Sequence, residues 1–121
     1  MSYEKYSSIE QFRNEFTSQW SPSNDLFLSL DFAYKENGYR MDTGRMYDTE
    51  PKLTPDNKEA VFYFYKNREK YGWNDTDEKN PLFTFLSCYA SIDDALDNFE
   101  IDGKKLKELI FDKDFEIVEK S

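Results

Sequence analysis

Three segments of the chain alternate large apolar residues with other residues at a period of two, the spacing of a β-strand. They are residues 26–34 (LFLSLDFAY), 61–66 (VFYFYK) and 82–89 (LFTFLSCY). Successive side chains of a strand point to opposite faces of a sheet, so this alternation places rows of large side chains against a core. The second and third segments carry apolar or aromatic residues on both faces, which predicts inner strands. A β-sheet is therefore the centre of the predicted fold.

The dipeptide Asn37-Gly38 predicts a hairpin directly after the first of these segments. Both residues tolerate the positive φ of a two-residue type I′ turn. With the turn at this position, we expect Tyr34 to pair with Met41.

Helices are predicted at both ends of the chain. Between Ser7 and Trp20 the apolar residues recur at helical spacing, and Ser8 with Gln11, or Ser7 with Glu10, offers a capping box. Ser91 precedes a second apolar stripe that runs to Phe99, and a third short helix is expected over residues 104–111. The last apolar segment, 115–118 (FEIV), is expected to be an edge strand.

This order of elements predicts one α+β domain over residues 1–121. We expect a mainly antiparallel sheet of about five strands, with the N-terminal helix and two short C-terminal helices packed on one face. A chain of 121 residues that includes 11 Phe, 9 Tyr and 2 Trp is long enough and aromatic enough to build one core.

The residues that are missing restrict the possible chemistry. The chain has no histidine and one cysteine, Cys88, and its net charge is −9. Imidazole metal sites and histidine-based catalysis are therefore excluded, and Cys88, within an apolar segment, is predicted to be a buried structural thiol. We expect no enzyme, no catalytic residue, no metal ligand and no cofactor, although a carboxylate-based enzyme stays open as a third alternative.

The negative charge is concentrated towards the C-terminus. Residues 74–121 contain 13 acids and 6 bases, whereas residues 1–73 contain 12 acids and 10 bases. Five acids fall within ten residues that contain no base, so they are either a solvated face or a surface for a basic partner. Two aromatic residues of the polar segment 68–81 are candidate anchors of the same interface. The predicted partner-binding residues are Asp93, Asp94, Asp97, Glu100, Asp102, Tyr71 and Trp73.

The acidic run, the two aromatic residues of the polar segment and the negative net charge together favour an acidic protein-binding module with a basic protein partner. An immunity or inhibitor protein that blocks a basic nuclease-type toxin or defence enzyme is one such module, because complementary charge speeds and selects association. The alternative is a small-ligand-binding or scaffold domain that uses an aromatic pocket. Direct nucleic-acid binding is disfavoured by the charge. The chain shows no signal-peptide pattern and no apolar run of the ~20 residues that cross a bilayer, so we expect a cytoplasmic protein.

Overall fold

A five-stranded antiparallel sheet forms the centre of the structure, a computed structural model that describes residues 5–16, 29–43, 53–68 and 83–120. In chain order, the elements are α1 (Ile9–Glu15), β1 (Ser29–Tyr34), β2 (Asn37–Thr43), β3 (Phe62–Asn67), β4 (Phe83–Tyr89), α2 (Ile92–Asn98), β5 (Glu100–Ile101), β6 (Lys104–Lys105), α3 (Leu106–Leu109) and β7 (Phe115–Lys120). The strand order in the sheet is β4-β3-β2-β1-β7, and β5 and β6 form a separate two-stranded hairpin.

The three helices cover one face of the sheet and build the main core with it. Buried residues of α1, α2 and α3 share one cluster with the large side chains of the sheet. Phe64 illustrates the packing, because its ring stacks on Phe99 at 4.0 Å between centroids. The predicted α+β fold, with an antiparallel sheet and helices on one face, is confirmed. No helix within the described ranges is long and apolar enough to span a membrane.

Serine caps start the first two helices. The hydroxyl of Ser8 accepts a hydrogen bond from the backbone N–H of Gln11 at 3.1 Å, and the Gln11 side chain accepts one from the N–H of Ser7 at 2.8 Å. Ser91 caps α2 in the same way through the N–H of Asp94 at 3.1 Å. Of the two N-caps that the sequence offers, the structure thus contains the one at Ser8, with the Gln11 side chain bonded to Ser7 and not to the N–H of Ser8 itself. Residues 17–20 of the expected first helix lie outside the described residues.

The hairpin between β1 and β2 turns two residues earlier than the sequence predicts. Tyr34 pairs with Asn37, and Leu30 rather than Tyr34 pairs with Met41. The turn is made by Lys35 and Glu36, and Lys35 has a positive φ of 56°. The predicted turn at Asn37-Gly38 is therefore wrong.

Strand β4 is an edge strand, not an inner one as the sequence predicts. Among the described strands it pairs with β3 alone, and its central residues are exposed. Phe64 pairs with Ser87 while Tyr65 pairs with Phe85, so Leu86 is the extra residue of a β-bulge.

The other face of the sheet is also buried, and polar side chains occupy much of it. Asp31 and Asp42 are 4% and 2% exposed. The Arg40 guanidinium donates to both oxygens of Asp31, with Nε–Oδ1 2.7 Å and Nη2–Oδ2 3.1 Å. A small apolar cluster on this face contains Cys88, which is buried as predicted.

Candidate functional site

The five predicted acids lie on α2, on β5 and in the turn that follows β5, and three of them have basic partners. Arg13 Nη2 lies 2.8 Å from Asp93 Oδ1, Lys107 Nζ lies 3.2 Å from Asp97 Oδ1, and Lys35 Nζ lies 3.6 Å from Asp102 Oδ2. These bases come from α1, from α3 and from the β1–β2 turn. The fold therefore neutralises part of a surface that looks purely acidic in sequence.

These ion pairs are exposed and contribute little to stability. Exposed pairs contribute about 0–1 kcal/mol, because water screens them and both side chains lose entropy. A cationic group of another protein can consequently compete for the same carboxylates. Tyr71 and Trp73, the predicted aromatic anchors, lie outside the described residues.

Asp94 belongs to a different feature, an open cleft of about 680 Å³ that we call the β4 cleft. One wall is formed by residues 85–90 of β4 and its C-terminal end, the opposite wall by residues 53–56, and the end by Asp94 and Asn98 of α2. This cleft is not among the sites that the sequence predicts. Its walls come from segments separated by about 30 residues, and no motif marks them.

The β4 cleft contains a concentration of exposed apolar surface. Leu53, Phe85 and Leu86 are 57%, 39% and 43% exposed. In the part of the chain that the structure describes, only one other large hydrophobic side chain is exposed, that of Phe111. Single exposed apolar residues are ordinary on a protein surface, but three that line one cleft indicate an interaction site.

Local geometry explains why these side chains face outwards. Leu86 occupies the bulge, which changes the alternation of side chains along β4. Phe85 pairs with Tyr65, and the two side chains lie on the same face of the sheet with 5.9 Å between their ring centroids. The Phe85 ring is 39% exposed there. Leu53 stands at the start of a short turn in which it forms an isolated β-bridge with Glu59.

That turn is internally hydrogen-bonded, so the wall opposite β4 has a defined shape. The N–H of Thr54 donates to the carbonyl of Lys58 at 2.8 Å, and the N–H of Asn57 donates to the carbonyl of Thr54 at 2.8 Å. The Thr54 side chain also hydrogen-bonds the carboxylate of Asp56. The Cys88 thiol lies 3.9 Å from the carbonyl of Leu53, which connects the turn to β4.

Two carboxylates, those of Asp56 and Asp94, are among the groups that line the cleft. Asp56 is paired with Lys58, whose Nζ lies 3.3 Å from Asp56 Oδ2. The Thr54 hydroxyl beside Asp56, with a further contribution from Lys58, lowers the pKa of this carboxyl, so it is ionised at neutral pH. Burial raises the pKa of Tyr89, which also lines the cleft, despite the opposing effect of its hydrogen bond with Ser87, so its hydroxyl keeps its proton at neutral pH. The cleft thus combines an apolar centre with an acidic rim.

The buried carboxylates on the opposite sheet face are less suited to chemistry. Asp31 accepts both donors of the Arg40 fork, and the Arg40 Cζ lies 4.3 Å from the centroid of the Phe83 ring. Burial raises the pKa of Asp31 despite the opposing effect of Arg40. Its carboxylate oxygens are held in an ion pair away from solvent, which is typical of a structural role. No group of three acidic or cysteine side chains in the described ranges is arranged to bind a metal ion.

The chain matches no known protein family, no curated protein and no solved structure.

Proposed function

We propose that this domain is an acidic protein-binding module and that the β4 cleft receives part of a basic partner protein. The observation that carries the proposal is the composition of the cleft. Three exposed apolar side chains, Leu53, Phe85 and Leu86, line the same cleft as the carboxylates of Asp56 and Asp94. An apolar centre with a polar rim is the usual anatomy of a protein–protein interface.

The charge of the molecule supports a basic partner. The chain carries a net charge of −9, and α2 places Asp93 and Asp97 on the exposed surface, where they are paired with Arg13 and Lys107. Such a field attracts a basic protein and orients it before contact, which raises the association rate. A cytoplasmic inhibitor or immunity protein would use this field to cover the basic surface that a nuclease-type toxin or defence enzyme presents to phosphates.

The alternative function, binding of a small ligand, rests on the same cleft. Its volume of about 680 Å³ lies in the range of ligand pockets, roughly 300–1,000 Å³, and Phe85 and Tyr89 supply aromatic surface. A protein partner is favoured because the cleft is open to solvent and its apolar lining residues Leu53, Phe85 and Leu86 are exposed.

The proposal is tested by capturing partners from an extract of the native host with the immobilised protein, then purifying the captured protein. We expect a basic protein whose association rate falls several-fold between low and physiological salt, since the Debye length shortens to about 8 Å. The double variant Asp56→Asn/Asp94→Asn should reduce that rate about three- to tenfold. Asp114→Asn/Glu108→Gln removes the same charge from exposed positions outside the cleft and serves as the matched control.

Salt-independent association, or equal effects of the two double variants, would contradict the proposal. Recovery of a small molecule that fills the cleft and that the Asp56→Asn/Asp94→Asn protein still binds would support the alternative.

A further inference from the structure

We propose that an arginine side chain of the partner enters the β4 cleft and that its guanidinium group pairs with the Asp94 carboxylate. This inference rests on the proposed function and names the group of the partner that the cleft recognises. Arginine is one of the residues that contribute most of the binding energy in protein interfaces. The cleft offers it a carboxylate, a second hydrogen-bond acceptor and apolar side chains.

Asp94 differs from the other two acids of α2. The side chains of Asp93 and Asp97 are 62% and 60% exposed, and each forms an ion pair with a base of this chain. Asp94 is half-buried, and within the described ranges its carboxylate has neither a basic partner nor a hydrogen-bond donor. A carboxylate that has lost part of its hydration is stabilised by a cation that approaches it. The fold thus leaves one carboxylate of this helix available to a cation of another molecule.

Asn98, one helical turn after Asp94, supplies a second acceptor to the same cleft. Its side-chain nitrogen donates to the backbone carbonyl of Asp94 at 2.8 Å. With the nitrogen engaged in this bond, the amide oxygen remains an acceptor, and no donor in the described part of the chain bonds to it. Two acceptor groups suit arginine better than lysine, because the guanidinium is a planar fork of several N–H donors and is more weakly hydrated than an ammonium group.

The apolar lining of the cleft suits the aliphatic part of an arginine. Basic side chains bury their methylene groups along apolar surface while the charged end contacts polar groups. Leu53 and Leu86 line the cleft and are 57% and 43% exposed, so they present such a surface. Covering these side chains removes apolar area from water, which adds affinity beyond that of the ion pair.

Charge decides which molecule supplies the arginine. A second copy of this chain fits poorly, because two copies each of charge −9 repel one another. A basic protein is attracted by the same charge, and its arginines are the groups that match a carboxylate in geometry as well as in sign. Asp56 contributes less to the anchor than Asp94, because Lys58 already pairs with it at 3.3 Å.

Short peptides test this inference without the partner. The probe is a peptide with acetylated and amidated ends and a central arginine between two leucines, compared with counterparts that carry lysine or citrulline in place of the arginine. Citrulline keeps the shape of arginine but has no charge. By NMR titration of the labelled protein, we expect the arginine peptide to bind with a Kd of about 1 mM or below, at least about tenfold tighter than the citrulline peptide and about threefold tighter than the lysine peptide. The signals of Leu86, Asp94 and Asn98 should shift most.

Substitutions at two neighbouring positions of α2 give the matching test on the protein. Asp94→Asn removes the inferred contact and should weaken binding of the arginine peptide about tenfold or more. Asp93→Asn is the control, because it removes the same charge from the same first turn of the helix, and it should change binding less than about twofold. Leu86→Ala should weaken binding several-fold, whereas Phe111→Ala, at an exposed apolar position outside the cleft, should leave it unchanged. Circular dichroism and thermal unfolding verify that each variant is folded.

Four results overturn the inference. They are equal binding of the arginine and citrulline peptides, a lysine peptide that binds as tightly as the arginine peptide, no shifted signal at about 5 mM arginine peptide, and equal effects of Asp94→Asn and Asp93→Asn.

A captured partner separates this failure from failure of the proposed function. If its association rate falls with Asp56→Asn/Asp94→Asn but its dissociation rate rises no more with Asp94→Asn than with Asp93→Asn, the arginine anchor fails while the proposed function stands. If the arginine peptide binds as expected but association of the partner depends neither on salt nor on these carboxylates, the proposed function fails while the affinity of the cleft for arginine stands.

Discussion

At the scale of single residues, the turn between β5 and β6 shows how backbone conformation selects the amino acid. Asp102 and Gly103 both have positive φ, 53° and 81°. This pair is the type I′ sequence Asp-Gly, and it closes a hairpin with only two residues on each side. Asp102 also faces Lys35 of the β1–β2 turn, whose own φ is 56°.

Gly103→Ala should destabilise the protein by about 1 kcal/mol, because alanine is strained at positive φ. Apart from Gly103 and its two chain neighbours, no heavy atom of the described residues lies within 4 Å of the added Cβ, so the loss of stability measures backbone strain and not a steric clash. Urea unfolding at pH 7 measures it. Gly103→Asn is the control and should cost less, since asparagine tolerates this conformation. Equal stability of the alanine variant and the native protein would contradict the turn conformation.

A second residue-scale feature is the contact between the N-terminal helix and the last strand. Lys120 Nζ lies 2.9 Å from Glu15 Oε1 and 5.0 Å from the centroid of the Tyr6 ring. Tyr6 is buried beside the Glu15 carboxylate. Burial first, and the carboxylate second, raise the pKa of the Tyr6 hydroxyl far above its ordinary value of 10.0.

This shift predicts a loss of stability in alkaline solution. The neutral Tyr6 phenol stabilises the folded state fully below pH 10, where the unfolded chain begins to ionise, and its contribution is lost progressively above that pH. The Tyr6→Phe variant has no phenol proton to lose. Above pH 10 its free energy of unfolding should therefore fall less steeply with pH than that of the native protein, and the two slopes should differ by up to about 1.4 kcal/mol per pH unit. Urea titrations between about pH 8 and 11 compare the slopes. Parallel curves for the two proteins would show that Tyr6 ionises equally in both states.

At the scale of elements, the apolar pattern predicts which face of each strand is buried. It does not determine the register in which two neighbouring strands pair. The predicted and observed pairings of β1 with β2 differ by an even number of residues, so the same side chains face the core in both. The observed register stacks Phe32 on Tyr39, with 5.4 Å between ring centroids, and places the N–H of Lys35 3.4 Å from the carbonyl of Asp114. These tertiary contacts outweigh the local preference of Asn37-Gly38 for a turn.

The position of β4 could not be predicted for a related reason. An uncharged, aromatic strand looks the same in sequence whether it is covered by neighbouring strands or left exposed for a partner. The charged residues of β7 identified it correctly as an edge. Two apolar residues of the candidate site, Phe85 and Leu86, therefore belong to a segment whose sequence resembles an inner strand. The turn at residues 53–56, which also lines the site, has no periodic pattern in its sequence.

At the scale of the whole molecule, the fold brings the two halves of the chain together by charge as well as by packing. The N-terminal residues Lys5 and Arg13 contact the C-terminal half, Lys5 through the carbonyls of Asp112 and Lys113 at 3.1 and 2.9 Å and Arg13 through Asp93. The acidic bias of residues 74–121 was correctly seen in the sequence. Its partial compensation by bases more than 60 residues away depends on tertiary structure, which composition cannot show.

Local stability should decrease from the centre of the sheet towards β4 and the β5–β6 hairpin. Every residue of β1 is buried, and β2 and β3 are paired on both sides, so their amides should exchange with solvent only when the whole protein unfolds. Residues 84–86 are exposed at an edge, and β5 and β6 contribute two residues each, so these amides should exchange through local opening that requires less free energy.

Native-state hydrogen exchange across a series of low urea concentrations separates the two groups. Amides of β1 to β3 should converge on the free energy of global unfolding and depend steeply on urea, whereas those of residues 84–86 and of the β5–β6 hairpin should be nearly independent of urea. Strand β7 is the control, because it is also an edge but packs Phe115 and Ile117 into the core, so its protection should be intermediate. If β4 exchanged as slowly as β2 in the isolated protein, the exposure of residues 84–86 would not lower their local stability, and the expected gradient across the sheet would be wrong.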